Sequence, residues 1–267
     1  MPKPTPKARK ARTGRRSPLA SIALITIGLL STGGAYALFT TTATADTTAA
    51  HEQLVDEGSK LFAANCASCH GLDLTGADAG PSLIGVGAAS VEFQVATGRM
   101  PMAQSGPQAE QKPVQFTEEQ IKALYTFVAA QAPGPAIPDE EYLQADGDAA
   151  EGAELFRINC AMCHNVAGAG GALTEGKYAP ALAGVSEQHI YEAMLTGPQN
   201  MPVFNDENLT PEEKANIITY LKYLDDNPSV GGLSLGSLGP VSEGLFIWIF
   251  GLGSIVAVTV WLTARSN

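Results

Sequence analysis

The chain has 267 residues, enough for one or two domains, and a formal net charge of -11, so no nucleic-acid partner is expected. The average hides an asymmetry. Residues 1–17 carry seven Lys or Arg and no acid, whereas all 27 acids lie between Asp46 and Glu243, facing eight Lys or Arg there.

In chain order, the basic segment 1–17 leads into an uncharged, mostly apolar stretch at 18–39. A helix of that length crosses a hydrocarbon core of about 30 Å. The positive charges before it place the N-terminus in the cytoplasm by the positive-inside rule. A cleavable signal peptide competes with a retained anchor, because Ala43-Thr44-Ala45 resembles a cleavage site. The long apolar stretch favours the anchor. Residues 40–48 then read as a polar tether.

Two similar units follow. Glu57-Gly-Ser-Lys-Leu-Phe-Ala-Ala-Asn-Cys-Ala-Ser-Cys-His70 returns as Glu151-Gly-Ala-Glu-Leu-Phe-Arg-Ile-Asn-Cys-Ala-Met-Cys-His164, with nine of fourteen positions identical. Before each motif, apolar residues at helical spacing (Leu54, Gly58, Leu61, Phe62; Gly152, Leu155, Phe156) mark one face of a helix. A shorter middle helix is expected near 91–97 and 188–196. A last helix opens with Thr117-Glu-Glu-Gln120 in one copy and Thr210-Pro-Glu-Glu213 in the other, both capping-box patterns. No alternating strand pattern appears, so the fold class is all-α.

The units are assigned to residues 49–132 and 140–227, joined by a stiff Pro-rich linker at 133–139. A Gly/Ser-rich tether at 228–240 leads to a second uncharged span at 244–264, followed by Arg265. Two spans return the C-terminus to the cytoplasm and leave both units outside, in a multi-pass cell-membrane protein.

Both copies end in C-x-x-C-H, the attachment signature of c-type haem. Cys66 with Cys69, and Cys160 with Cys163, can each add to the two vinyl groups of one porphyrin. His70 and His164 then stand beside the iron. A zinc site would need further ligands, a redox C-x-x-C would sit near a βαβ pattern, and disulfides leave the adjacent His unexplained. Two covalently bound c-type haems are therefore expected. They would also supply the apolar centres that units of about 90 residues lack.

A second axial ligand separates a closed electron carrier from an open reactive iron. Thr97-Gly-Arg-Met-Pro101 and Thr196-Gly-Pro-Gln-Asn-Met-Pro202 each present Met before Pro in a polar loop. Met201 is the candidate in the second unit. In the first, Met100 shares the Met-Pro dipeptide, while Met102 keeps the spacing from the preceding Gly; Met100 is preferred. His51 and His189, without counterparts in the other copy, are expected at the surface. Pro81-Ser-Leu-Ile-Gly-Val86 and Pro180-Ala-Leu-Ala-Gly-Val185 form a further shared loop, which can offer a backbone carbonyl to the ligating His.

These motifs resemble class I cytochromes c. The resemblance implies thioethers at Cys66, Cys69, Cys160 and Cys163, and axial pairs His70 with Met100 and His164 with Met201. It also assigns the His-contacting carbonyls to Pro81 and Pro180, and implies no catalytic residue. The whole layout, two class I cytochrome c domains between transmembrane helices, resembles the dihaem cytochrome c subunits of actinobacterial cytochrome bcc complexes. That family implies an electron-transfer subunit of a menaquinol–cytochrome c reductase (a translocase) beside cytochrome b. Electrons would pass from a Rieske iron–sulfur protein to a haem–copper oxidase. The alternatives are an acceptor subunit for a periplasmic alcohol or sulfur-compound dehydrogenase, and a dihaem peroxidase.

Overall fold

The computed structural model describes residues 18–104, 106–228, 235 and 240–265. The basic segment 1–17 and most of the Gly/Ser-rich tether lie outside these. The described residues fall into two packing units divided between Gln53 and Leu54. Helix α1 runs through Pro18–Asn65, so the stretch expected as a polar tether at 40–48 is helical.

The first repeat consists of the C-terminal turns of α1, then α2 (Ala67–His70), α3 (Gly87–Ala96) and α4 (Glu118–Ala129). The second has α5 (Ala149–Asn159), α6 (Ala161–His164), α7 (Glu187–Thr196) and α8 (Pro211–Asp226). It adds a two-residue antiparallel ribbon, β1 (Gly171–Ala172) against β2 (Tyr178–Ala179), and short 3-10 turns at Glu140–Leu143 and Thr174–Gly176. Among the described residues the other regular elements are helical, as the absence of alternating apolar residues led one to expect.

Capping explains where the last helices begin. Thr117 accepts from the Gln120 N–H while the Gln120 side chain accepts from the Thr117 N–H, and Thr210 and Glu213 repeat the arrangement. Each box satisfies two donors that a helix start leaves free. In α8, Pro211 fills the first position, where a missing N–H costs nothing.

The first and last helices of each repeat cross at a glycine. A Cβ on Gly152 would stand 1.9 Å from the Asn216 carbonyl oxygen, and one on Gly58 would stand 2.0 Å from that of Ala123. No side chain fits there, which is why the apolar face of each leading helix carries Gly among larger residues. Around these crossings lie two cores. Phe62, Leu74, Val95, Ile121, Leu124 and Val128 form the first. Phe156, Ile190, Met194, Leu209, Ile217, Ile218 and Leu221, with Cys160 and Tyr191, form the second.

The second core also contains a charge. Lys214 is 0% exposed, yet its Nζ donates to Asp206 Oδ1 and to the Leu209 carbonyl, each at 2.7 Å, and stands 5.5 Å from the Tyr191 ring. These partners replace the water that a buried ammonium loses. The loop 205–209 is thereby tied to the start of α8.

Two stretches, Leu19–Ala37 and Ser242–Arg265, are helical, long and apolar enough to cross a membrane. The latter combines α9 (Pro240–Phe246), a wider turn at Ile247–Leu252 and α10 (Gly253–Arg265). Their large apolar side chains, Leu19, Ile22 and Leu24 in one and Trp248, Ile255 and Trp261 in the other, are all exposed.

Candidate haem-binding sites

In both repeats the C-x-x-C-H motif forms a single helical turn. Cys66 precedes α2 and Cys160 precedes α6, and the His70 and His164 amides donate back to those cysteine carbonyls at 3.0 and 2.9 Å. The turn brings both thiols and the imidazole to one end of the preceding helix. It closes on residues with positive φ, Gly71 at 75° and Asn165 at 67°. Their ψ angles, 149° and 156°, lie outside the left-handed helical region, in one that glycine enters freely and Asn165 enters at a cost.

The loops beyond each His follow matching paths. Gly76 and Gly170 donate to the His70 and His164 carbonyls, both at 2.9 Å. Leu83 and Leu182 are each held at 2.8 Å by carbonyls earlier in their own loops. These bonds bring the Pro81 carbonyl within 2.8 Å of His70 Nδ1, and the Pro180 carbonyl within 3.0 Å of His164 Nδ1. A carbonyl only accepts, so Nδ1 carries the proton and Nε2 keeps its lone pair for a metal. Pro81 and Pro180 are eleven and sixteen residues beyond their histidines. The ribbon β1–β2 takes up the extra length in the second loop.

His164 is buried, and burial pushes its imidazole below the usual pKa despite the opposing Pro180 bond, favouring the neutral ring that a metal requires. Burial, with a smaller contribution from the neighbouring cysteine, pushes the Cys66 and Cys160 thiols up to about 11. Neither pair is joined as a disulfide.

Met201 and His164 lie on the wall of one cavity of about 650 Å³, which also reaches Cys160 and Cys163. Its apolar lining includes Phe156, Leu182, Ile190, Phe204 and Ile217. The size falls in the range of pockets that enclose a cofactor. These residues fit a c-type haem: two thiols for its edge, an imidazole and a thioether for its iron, and hydrocarbon around the ring. The Met201 loop is set by the Met201 N–H on the Pro198 carbonyl at 3.0 Å and the Phe204 N–H on the Met194 carbonyl at 2.8 Å.

In the first repeat, Met100 packs against the core that also holds Cys66, and its N–H donates to the Gln94 carbonyl at 2.9 Å. Met102 is 37% exposed. His70 and Cys66 are half-buried, and Cys69 is exposed. His51 is exposed, as expected of it. His189 is not a surface residue: its side chain is only 22% exposed and faces Glu92 of the other repeat.

The second cavity has contributors that a repeat-by-repeat reading misses. Phe93, Thr97, Arg99, Gln108 and Gln111 of the first repeat also line it. The Arg99 guanidinium lies 4.9 Å over the Phe93 ring, and burial lowers its pKa. Gln108 pairs with the backbone of β2, donating to the Tyr178 carbonyl at 3.0 Å and accepting from its N–H at 2.9 Å. Ala109 donates to Gln199 Oε1 at 3.2 Å. The sequence carries a signal for this contact: the segment from Met100 to Thr117 is about twice as long as that from Met201 to Thr210.

Comparison with known proteins agrees with this geometry. Residues 55–132 match the family model described as cytochrome c, and residues 147–221 match that of cytochrome C oxidase, cbb3-type, subunit III. The "Cytochrome bc1 complex cytochrome c subunit" of Corynebacterium efficiens is 45% identical, covering 97% of this chain and 93% of that one. Its namesake from Corynebacterium diphtheriae is 44% identical over 97% and 98%, and that of Mycobacterium tuberculosis 44% over 97% and 96%. Near-full-length likeness at this level, on a chain whose two repeats each bring C-x-x-C-H and a Met-Pro loop to a helical core, shows that it belongs to the cytochrome c subunits of the cytochrome bc1 complex, a family of electron-transfer proteins.

Proposed function

We propose that the chain is the membrane-anchored dihaem subunit of a menaquinol–cytochrome c reductase. In this reading it relays electrons from a Rieske iron–sulfur protein to a haem–copper terminal oxidase, with cytochrome b as a further partner. The observation that carries the reading is the cavity shared by His164, Met201, Cys160 and Cys163, with its matching motif and loop in the first repeat.

Haem bound at such a site supplies one-electron carriage through its iron. The protein's own groups decide how it is used. Cys66, Cys69, Cys160 and Cys163 would hold the two groups by thioethers. The Pro81 and Pro180 carbonyls orient His70 and His164 so that Nε2 is free to ligate. Met201 and Met100 would each offer the iron a thioether ligand, a donor that raises the potential and leaves no place for a small molecule. That choice argues against a peroxidase, which needs an open position.

The haem-binding domains are assigned to residues 49–132 and 140–227. Seven positive charges before the first span and Arg265 after the second support cytoplasmic termini, with the haem domains on the opposite face. A fixed pair of carriers beside the membrane would stand in for a diffusing cytochrome c.

The test is isolation of the native complex after gentle solubilisation, with its subunits identified by mass. Rieske and oxidase subunits should copurify, with two haems per copy of this chain. A complex lacking both partners, or one containing a dehydrogenase whose substrate reduces the haems, overturns the proposal.

A further inference from the structure

Between the two repeats, α3 and α7 pack against each other, and three metal-ligating side chains meet there. Glu92 comes from α3, His189 and Glu192 from α7, and one ligand atom of each lies within 4.8 Å of the other two. None belongs to the haem motifs. Glu192 is 0% exposed; its Oε1 accepts from Gln188 Nε2 at 3.0 Å, while its Oε2 is buried without a hydrogen-bond partner. Glu92 Oε2 is likewise buried without a hydrogen bond, although His189 Nε2 lies 3.4 Å away. Two buried carboxylate oxygens facing one another must share a proton or meet a cation.

We propose that Glu92, His189 and Glu192 form a zinc site that clamps the two repeats together. One nitrogen and two oxygens suit a zinc-type divalent ion, whereas calcium and magnesium favour all-oxygen shells. Ligands about 2.0–2.1 Å from a tetrahedral zinc stand about 3.4 Å apart. The 3.4 Å between His189 Nε2 and Glu92 Oε2 already has that spacing. A small rotation of the Glu192 side chain supplies the third ligand, and water fills the fourth position.

Burial, and then Glu92, push the Glu192 carboxyl up to about 10. Burial opposes ionisation of Glu92, but His189 and Glu192 outweigh it and hold Glu92 low. Tyr125 of α4 faces the pair, and burial is the first cause that raises its phenol.

The test uses the full-length, haem-loaded chain in detergent, stripped with EDTA and dialysed against zinc chloride alone. Wild type should retain one zinc per chain. Glu192→Gln and Glu92→Gln should weaken retention by more than the roughly 10- to 100-fold that loss of an outer-shell partner costs. Haem content and absorption should not change, which separates this site from the haem assignments. X-ray absorption on the wild type should show a nitrogen/oxygen shell with one imidazole and no sulfur. If a variant fails to fold, that spectrum decides. No zinc retained by haem-loaded wild type, equal retention in folded variants, or a sulfur or all-oxygen shell overturns the proposal.

Discussion

Replacing Gly152 by alanine sets two effects of opposite sign against each other. Helix propensity alone favours Ala over Gly by about 1 kcal/mol in a helix interior. The helix crossing opposes it. The new Cβ would stand 1.9 Å from the Asn216 carbonyl oxygen, whereas ordinary contact begins near 3.4 Å. The obstacle is backbone, so no side-chain rotation relieves the overlap of about 1.5 Å; α5 and α8 must part. Overpacking of this kind costs about 1–3 kcal/mol. Parting the helices also strains the bonds that tie the start of α5 to α8: Gly147 N–H to Thr219 Oγ1 at 2.9 Å, Asp148 N–H to Asn216 Oδ1 at 2.8 Å, and Asn216 Nδ2 to Glu151 Oε2 at 3.0 Å. Losing one of them adds about 1 kcal/mol. The net expectation is a destabilisation of about 1–3 kcal/mol. Guanidinium unfolding of the haem-loaded chain, followed by haem absorption and far-UV circular dichroism, measures it. Gly58→Ala should behave alike, because its Cβ would stand 2.0 Å from the Ala123 carbonyl oxygen. Stability that is unchanged, or raised by the propensity gain, would refute the crossing argument.

Met201→Ala should lower the potential of the second haem and abolish its thioether–iron absorption; an unaltered spectrum excludes Met201 as ligand. In the first repeat, Met100→Ala should have that effect and Met102→Ala should not, and the reverse result moves the ligand to Met102. Thr210→Ala removes one arm of the α8 capping box and should cost about 1 kcal/mol in urea unfolding, whereas no loss would mean the box contributes nothing. Gln108→Ala should cost about 1 kcal/mol, since the exposed Tyr178 backbone groups regain water, and should speed hydrogen exchange at the Tyr178 amide. Unchanged exchange there would show that the long first-repeat loop is not held by this pair.

Much of the site was legible because its chemistry is local. C-x-x-C-H needs only one helical turn to bring two thiols and an imidazole together, so five consecutive residues state the cofactor. The capping boxes at Thr117 and Thr210 are likewise contained in four residues each, and both close in the structure. The all-α class followed from periodicity. Residues 40–48 were misread as a tether because polar Thr and Ala residues do not forbid a helix that has already begun.

Contacts between the repeats were not legible. Reading each copy against the other treats an unmatched residue as incidental, and that is how His189 was placed at the surface. Glu92 and His189 are nearly a hundred positions apart; only the packing of α3 on α7 brings them to 3.4 Å. The long Met100–Thr117 segment was visible as extra length, but its docking on β2 through Gln108 was not.

The sequence by itself therefore determined the cofactor chemistry, the helical class, the duplication and the two membrane-length stretches, all of which are patterns along the chain that need no packing to be read. Tertiary structure alone decided which first-repeat residues complete the cavity of the second repeat, and that Glu92, His189 and Glu192 share one buried place. Those are distances across a fold, and they arise only when separate helices pack.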